Sequence, residues 1–334
     1  METIQQAIQG NLVLAWITII AAFAVLARCA DLFVDASVRI ADRLGVPKLV
    51  IGIVLVSLAT TAPELSVSLI SALRRQPQMA LGNAIGSVIC DDGLALALAG
   101  VISIAPIAIM PRVLRASGFF LILVQLLAFV FVAFDGALER PEGAMLLGLF
   151  AAYMYFLYHE HRRGRLRDGL AAAGVGGPPK RGITLILTFI LVVAGIIVAS
   201  EAVITSATAI ARSFGIPEAV IALTLVALGT SIPEIATCIA AVRRKEGALA
   251  VGNILGADIM NICWVAGASA VANNLVVSRK QIFFMFPSMF IIVGAMLIML
   301  RRGYRLTRTK GIILLVLYLI YLASFLKLFP PGNP

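Results

Sequence analysis

Two short polar runs interrupt long apolar stretches of this chain: Thr60-Thr61-Ala62-Pro63-Glu64 and Thr230-Ser231-Ile232-Pro233-Glu234. A proline inside a helix removes one backbone N–H and displaces the carbonyl four residues back, here those of Ala59 and Gly229. Carbonyls freed within a membrane survive only against protein, water or an ion. Hydroxyls alone would satisfy such a kink, but they leave Glu64 and Glu234 unexplained. An ionised carboxylate at the centre of a membrane helix costs roughly 2.5–3.5 kcal/mol. Two such costs in matching contexts call for a ligand that offsets them.

Further candidates follow downstream of each run. Gly82-Asn83 and Gly252-Asn253 open the small-residue stretches GNAIGS and GNILGA, which let helix backbones approach closely. Ser87 is followed four residues later by Asp91, and Ala257 by Asn261, so each pair shares a helix face. The central set is Glu64, Glu234, Asp91 and Asn261, with Thr60, Thr61, Thr230, Ser231 and Ser87 around it. Oxygen donors without Cys or His select Ca2+, Mg2+ or Na+ over zinc or copper. Three carboxylates and an amide suit a divalent ion, and monovalent ions or protons take its place when it leaves. Asp92 points about 100° away from Asp91 around the helix. Asp92 and Asp258 either border the ion pathway or pair with neighbouring hydroxyls and amides. Asp31 and Glu201 are expected near water, with gating as their alternative role.

The elements that must hold these residues are membrane spans. Of 334 residues, 61% are hydrophobic and 13% charged, with a mean hydropathy of +1.02, far from a soluble composition. Apolar runs long enough to cross a bilayer lie at 12–36, 49–73, 79–105, 113–135, 142–158, 183–211, 218–242, 247–273, 282–300 and 310–329. The first is too long for a signal-peptide core, and no A-x-A-like site follows it. Residues 159–181 form a polar linker between five spans and five spans, and His159 and His161 within it are read as solvated.

The net charge of +10 sits in short clusters rather than on a basic face with aromatics, so no nucleic-acid partner is expected. Arg162, Arg163, Arg165, Arg167, Lys180 and Arg181 fall after span 5, Arg243, Arg244 and Lys245 after span 7, and Arg301, Arg302, Arg305, Arg308 and Lys310 after span 9. This bias predicts a cytoplasmic linker and both termini outside, in a cell (inner) membrane. Cys29, Cys90, Cys238 and Cys263 have no CxxC spacing and are read as small buried side chains.

Shifting the sequence by 170 positions lays LGVPKLVIGIVLVSLATTAPELSVSLISALRR (from Leu44) over FGIPEAVIALTLVALGTSIPEIATCIAAVRRK (from Phe214), and MALGNAIGSVICDDGLALALAG (from Met79) over LAVGNILGADIMNICWVAGASA (from Leu249). Because five is odd, the second copy enters the membrane upside down, and inverted repeats place their site near the midplane. The predicted fold is an all-α membrane protein of ten transmembrane helices in two inverted five-helix repeats. The first repeat is 1–158 (repeated core about 44–101), the linker 159–181 and the second repeat 182–334 (repeated core about 214–271).

With GTSIPE at Gly229–Glu234, ATTAPE at Ala59–Glu64, GNAIGS and GNILGA in register, the chain resembles the cation/Ca2+ exchanger superfamily, most closely its prokaryotic sodium/calcium exchangers. The resemblance covers nearly the whole chain. It implies that Glu64 and Glu234 are the principal Ca2+ ligands, and that Thr60, Thr61, Thr230, Ser231, Ser87, Asp91 and Asn261 complete the Ca2+ and Na+ sites. It also implies that spans 1 and 6 slide against the other eight. Three departures stand out: the central acid lies in the first repeat (Asp91) with an amide in the second (Asn261), Ala257 replaces a Ser, and Thr61 replaces a Ser.

The function expected is therefore Ca2+/Na+ antiport by alternating access. Ca2+/H+ antiport at the same acids is the alternative, and a cation channel the outlier. No enzyme activity and no cofactor are expected beyond the transported Ca2+ and Na+ (or H+). The partners are those ions and the lipid bilayer, and a monomer suffices.

Overall fold

The computed structural model describes residues 11–162, 182–214 and 228–329, and the chain there is almost entirely helical. Most of the linker and the first half of span 7 lie outside the described residues. The helices are α1 (Leu12–Leu44), α2 (Lys48–Thr60), α3 (Ala62–Leu73), α4 (Pro77–Ile102), α5 (Pro111–Asp135), α6 (Arg140–Arg162), α7 (Gly182–Ser213), α8 (Ile232–Arg243), α9 (Gly247–Ala272), α10 (Arg279–Arg301) and α11 (Arg308–Leu328).

Seven of these (α1, α4, α5, α7, α9, α10 and α11) are long and apolar enough to cross a membrane, and an eighth span results if the pair α2 and α3 is one. That pair, predicted as one continuous run, is bent by 46°. The bend falls at Thr61, whose φ of −81° and ψ of 0° leave the helical region. Pro63 sits in the first turn of α3, where its missing N–H costs nothing. Ser231 repeats this geometry before α8, with φ −83° and ψ 4°.

Burial sorts the helices into layers. The most apolar windows of α4 and α9 are 78% and 83% buried, against 17% for α1 and α11. The inner pair carries the small-residue stretches: a Cβ on Gly252 or Gly256 would run into the backbone of α2 at Leu49 or Ile53. α1 and α7 lie outside and pack chiefly along each other, with Phe33 and Phe189 rings 5.0 Å apart and Gly195 against Cys29.

Element bounds recur at the offset seen in the sequence. Ala62–Leu73 matches Ile232–Arg243, and Pro77–Cys90 matches Gly247–Met260. Two π-helical turns, Asp91–Leu96 and Asn261–Ala266, also match. Two-residue strands tie the ends of the bundle: β1 (Ile107–Ala108) pairs antiparallel with β4 (Arg305–Leu306), and β2 (Ala137–Leu138) with β3 (Leu275–Val276). Of the cysteines, Cys90, Cys238 and Cys263 are buried and Cys29 half-buried, all as free thiols.

Candidate functional site

Both glutamates begin a helix. Glu64 lies in the first turn of α3 and Glu234 in the first turn of α8, where the positive end of the helix dipole favours negative charge. Both are fully buried. Glu64 faces Glu234 and Asp91 across the centre of the bundle. The hydroxyls reach across the two halves: Thr230 faces Glu64, Thr60 and Thr61 face Glu234, and Ser231 faces Asp91. Still, all four carboxylate oxygens of Glu64 and Glu234 lack a hydrogen-bond partner, as do one oxygen of Asp91, Asn261 Oδ1 and the hydroxyls of Thr61, Ser87 and Ser231. Buried polar atoms in folded proteins are nearly always paired, so this concentration of bare oxygens is the unusual feature of the chain.

Asp91 and Asn261 meet directly, Asn261 Nδ2 donating to Asp91 Oδ2 at 3.3 Å. Each opens one of the matched π-helical turns, a widening of the helix common at functional positions. Ser87 and Ala257 lie one turn earlier, both fully buried. Among the described residues no three Asp, Glu, His or Cys side chains gather into a metal-holding group. The donor set at the centre is mixed, with carboxylates set among hydroxyls and amides.

Two further residues join the halves, and the sequence reading missed their role. Thr60 Oγ1 donates to Asn253 Oδ1 at 3.1 Å, and Thr230 Oγ1 donates to Asn83 Oδ1 at 3.3 Å. Asn83 Nδ2 in turn donates to Ser68 Oγ (2.9 Å) and to the Glu64 carbonyl (3.3 Å). Asn253 Nδ2 donates to Thr237 Oγ1 (3.2 Å), whose hydroxyl donates to the Glu234 carbonyl (3.1 Å). The two networks correspond, with two substitutions: Cys238 stands where Ser68 does, and Thr237 where Val67 does. Ser68 Oγ donates to Ala80 O, and at the equivalent place Cys238 Sγ approaches Ala250 O at 3.7 Å. A thiol is a weak partner, and the Asn253 amide goes to the neighbouring Thr237 instead. The available signal was an asparagine at the same register in both small-residue stretches.

The remaining acids separate into two kinds. Asp92 and Asp258 are fully buried and face one another, with none of their four carboxylate oxygens hydrogen-bonded. They are not held by hydroxyls or amides. Asp31 stands near water, as expected, 3.6 Å from Arg244, which also lies 3.6 Å from Asp35. Glu201 is exposed on α7.

Buried oxygen donors at the ends of broken helices, inside a bundle with apolar outer faces, define a multi-pass membrane protein with a polar centre. The chain belongs to the sodium/calcium exchanger protein family, whose family model matches residues 14–159 and 184–327. It is 35% identical over 310 residues to the inner membrane protein YrbG of Escherichia coli strain K12, covering 90% of this chain and 93% of the relative. It is 28% identical over 336 residues to the sodium/calcium exchanger MaX1 of Methanosarcina acetivorans, covering 89% and 94% of the two chains. The fold matches the solved structure of the sodium-calcium exchanger NCX_Mj with a TM-score of 0.79 at 27% identity, over 94% of this chain and 99% of that one.

Proposed function

We propose that this protein is a secondary active antiporter that exchanges Ca2+ for Na+ by alternating access at the Glu64/Glu234 centre. The observation that carries the reading is the four unpartnered carboxylate oxygens of these fully buried glutamates, facing Asp91 and hydroxyls from both halves. Ca2+ takes six to eight oxygens, and Glu64, Glu234, Asp91, Asn261, Thr60, Thr61, Thr230, Ser231 and Ser87 supply the candidate donors. Ca2+ and Na+ are substrates, competing for overlapping oxygens, and only loaded states reorient. Asp92 and Asp258 stand behind this set. Membership of the sodium/calcium exchanger family supports the reading, as does the similarity to the sodium/calcium exchanger MaX1.

The architecture we propose is ten spans in two inverted five-helix repeats, 1–158 and 182–334, joined by a cytoplasmic linker with both termini outside. Three features support it: the recurrence of helix bounds at one offset, the exchanged pairing of the terminal strands, and the contact between Asp91 and Asn261, which are 170 residues apart. Equivalent residues of two repeats touch only near the axis that relates them. α1 and α7, which pack chiefly on each other, are the elements we assign to sliding; a monomer suffices. The name of YrbG supports an inner-membrane location.

Ca2+/H+ antiport is the second reading, favoured by one residue: Ala257 contributes no oxygen where its counterpart Ser87 does. Proteoliposomes loaded with Na+, diluted into Na+-free buffer with pH clamped by ionophores and followed by 45Ca2+ uptake, separate the two. Uptake that follows the Na+ gradient supports exchange with Na+. Uptake that ignores Na+ and follows an imposed pH gradient replaces it with proton coupling.

A further inference from the structure

One end of the bundle carries a charge that the exchange centre does not use. Pairing of β1 with β4, Ile107 opposite Leu306 and Ala108 opposite Arg305, brings the connection from α4 to α5 against the connection from α10 to α11. These segments contribute Arg112, Arg115, Arg301, Arg302, Arg305, Arg308 and Lys310, and residues 101–118 and 298–312 contain no Asp or Glu. Lys310 is spent on the turn itself, its Nζ donating to the carbonyls of Arg302 (2.7 Å) and Arg305 (2.6 Å). Arg305 and Arg308 are exposed. The first turn of α11 holds Arg308 and no acid, so Arg308 stands at the positive end of the helix dipole with no acidic side chain in that turn to offset it.

Beside Arg308 lies an open cleft of about 590 Å³, bounded by Val101, Ile102, Ser103, Ile104 and Pro106. Ser103, which lines it, donates its hydroxyl to Ala105 O at 2.6 Å. Its lip is apolar: Ile104 is 100% exposed and Ile102 42% exposed. A free inorganic anion gains nothing from bare isoleucines, whereas a lipid has an apolar part to lay against them. Basic pockets between membrane helices are suited to anionic headgroups.

We propose that this cleft seats the phosphate headgroup of an anionic phospholipid, with Arg308 on the phosphate, the exposed Arg305 of the adjoining strand adding positive charge beside the cleft, and Ile104 against the acyl chain. The proposal is independent of which ions are exchanged. In the orientation proposed above, the lipid belongs to the cytoplasmic leaflet.

The test is native mass spectrometry of the purified full chain in detergent, titrated with phosphatidylglycerol, phosphatidylcholine or inorganic phosphate. We expect one retained phosphatidylglycerol and much weaker retention of phosphatidylcholine. R305Q/R308Q should weaken retention by about thirtyfold, from the surface attraction each arginine supplies. R305K/R308K should retain the lipid. R74Q/R75Q, at the opposite end, should leave retention unchanged. Equal retention of both lipids, full retention by R305Q/R308Q, or an equal loss in R74Q/R75Q would each overturn the assignment. Displacement of the lipid by an equal concentration of inorganic phosphate would make the cleft a free-anion site and overturn it too.

Discussion

Gly52→Ala tests whether close approach of two helices sets the exchange centre. A Cβ at Gly52 stands 2.5 Å from the Leu249 carbonyl oxygen and 2.8 Å from the Asn253 nitrogen, whereas ordinary contact begins at 3.4 Å. The neighbouring atoms are backbone on α9, so no side chain can swing aside, and the two helices must part by about 0.9 Å to restore ordinary contact. Thr60 and Asn253, which bridge this crossing at 3.1 Å, would then stand about 4 Å apart, beyond hydrogen-bonding distance. Overpacking of this kind costs about 1–3 kcal/mol, and the lost bond about 1 kcal/mol.

Thr60 also faces Glu234, so the displacement reaches the carboxylate directly. We expect the Ca2+ concentration for half-maximal uptake to rise about tenfold, the equivalent of roughly 1.4 kcal/mol. The measurement is initial 45Ca2+ uptake in proteoliposomes, normalised to inserted protein. Gly148→Ala is the control, because nothing lies within 4 Å of its added Cβ. Unchanged Ca2+ dependence in G52A, with the same yield as G148A, would refute the claim that this crossing positions the site.

Glu64→Gln and Glu234→Gln keep side-chain size and should each abolish Ca2+ exchange with an unchanged size-exclusion profile. Preserved exchange in both would remove the site assignment. Asp91→Asn should raise the Ca2+ requirement about tenfold or more by deleting one charge, and Asp92→Asn tested beside it shows whether the buried Asp92–Asp258 pair matters to transport. Ala257→Ser adds a hydroxyl where Ser87 has one in the other half; under Na+ coupling it should lower the Na+ needed for half-maximal exchange several-fold. A flat response would speak against a Na+ ion at that position. Arg244→Gln removes half-exposed ion pairs to Asp31 and Asp35 at 3.6 Å. It should change thermal stability by less than about 1 kcal/mol, and a larger loss, read by thermal unfolding in detergent, would show that these pairs hold α1 in place.

Much of the fold was legible because the bilayer imposes its requirements on sequence directly. Twenty-residue apolar runs and stranded carboxylates need no tertiary information to stand out. The break at Thr61 was readable from Pro63, and its counterpart at Ser231 from Pro233, because the missing N–H is a local property. The 170-residue repeat identified Asp91 and Asn261 as partners in register before any contact was known. Boundaries fared less well. The first run, read as 12–36, is a helix to Leu44, because the polar residues after 36 turn toward ion partners such as Arg39 to Asp35 at 2.9 Å. The count of ten helices was likewise an inference from hydropathy, and α6, with Arg140 and Glu142 at its start, is not among the helices long and apolar enough to cross a membrane.

The sequence by itself determined that oxygen-rich breaks occur twice, in register, deep in apolar helices, because backbone chemistry and burial cost are written residue by residue. Only the tertiary structure decided who faces whom: that Thr230 serves Glu64 and Thr60 serves Glu234, that Asn83 and Asn253 bind the halves together, and that Asp92 and Asp258 confront each other. Those relations depend on the crossing of α2 with α9 and on the packing of α4 with α8 and α9. Such distances are set by side chains far apart in the chain, and no local pattern encodes them.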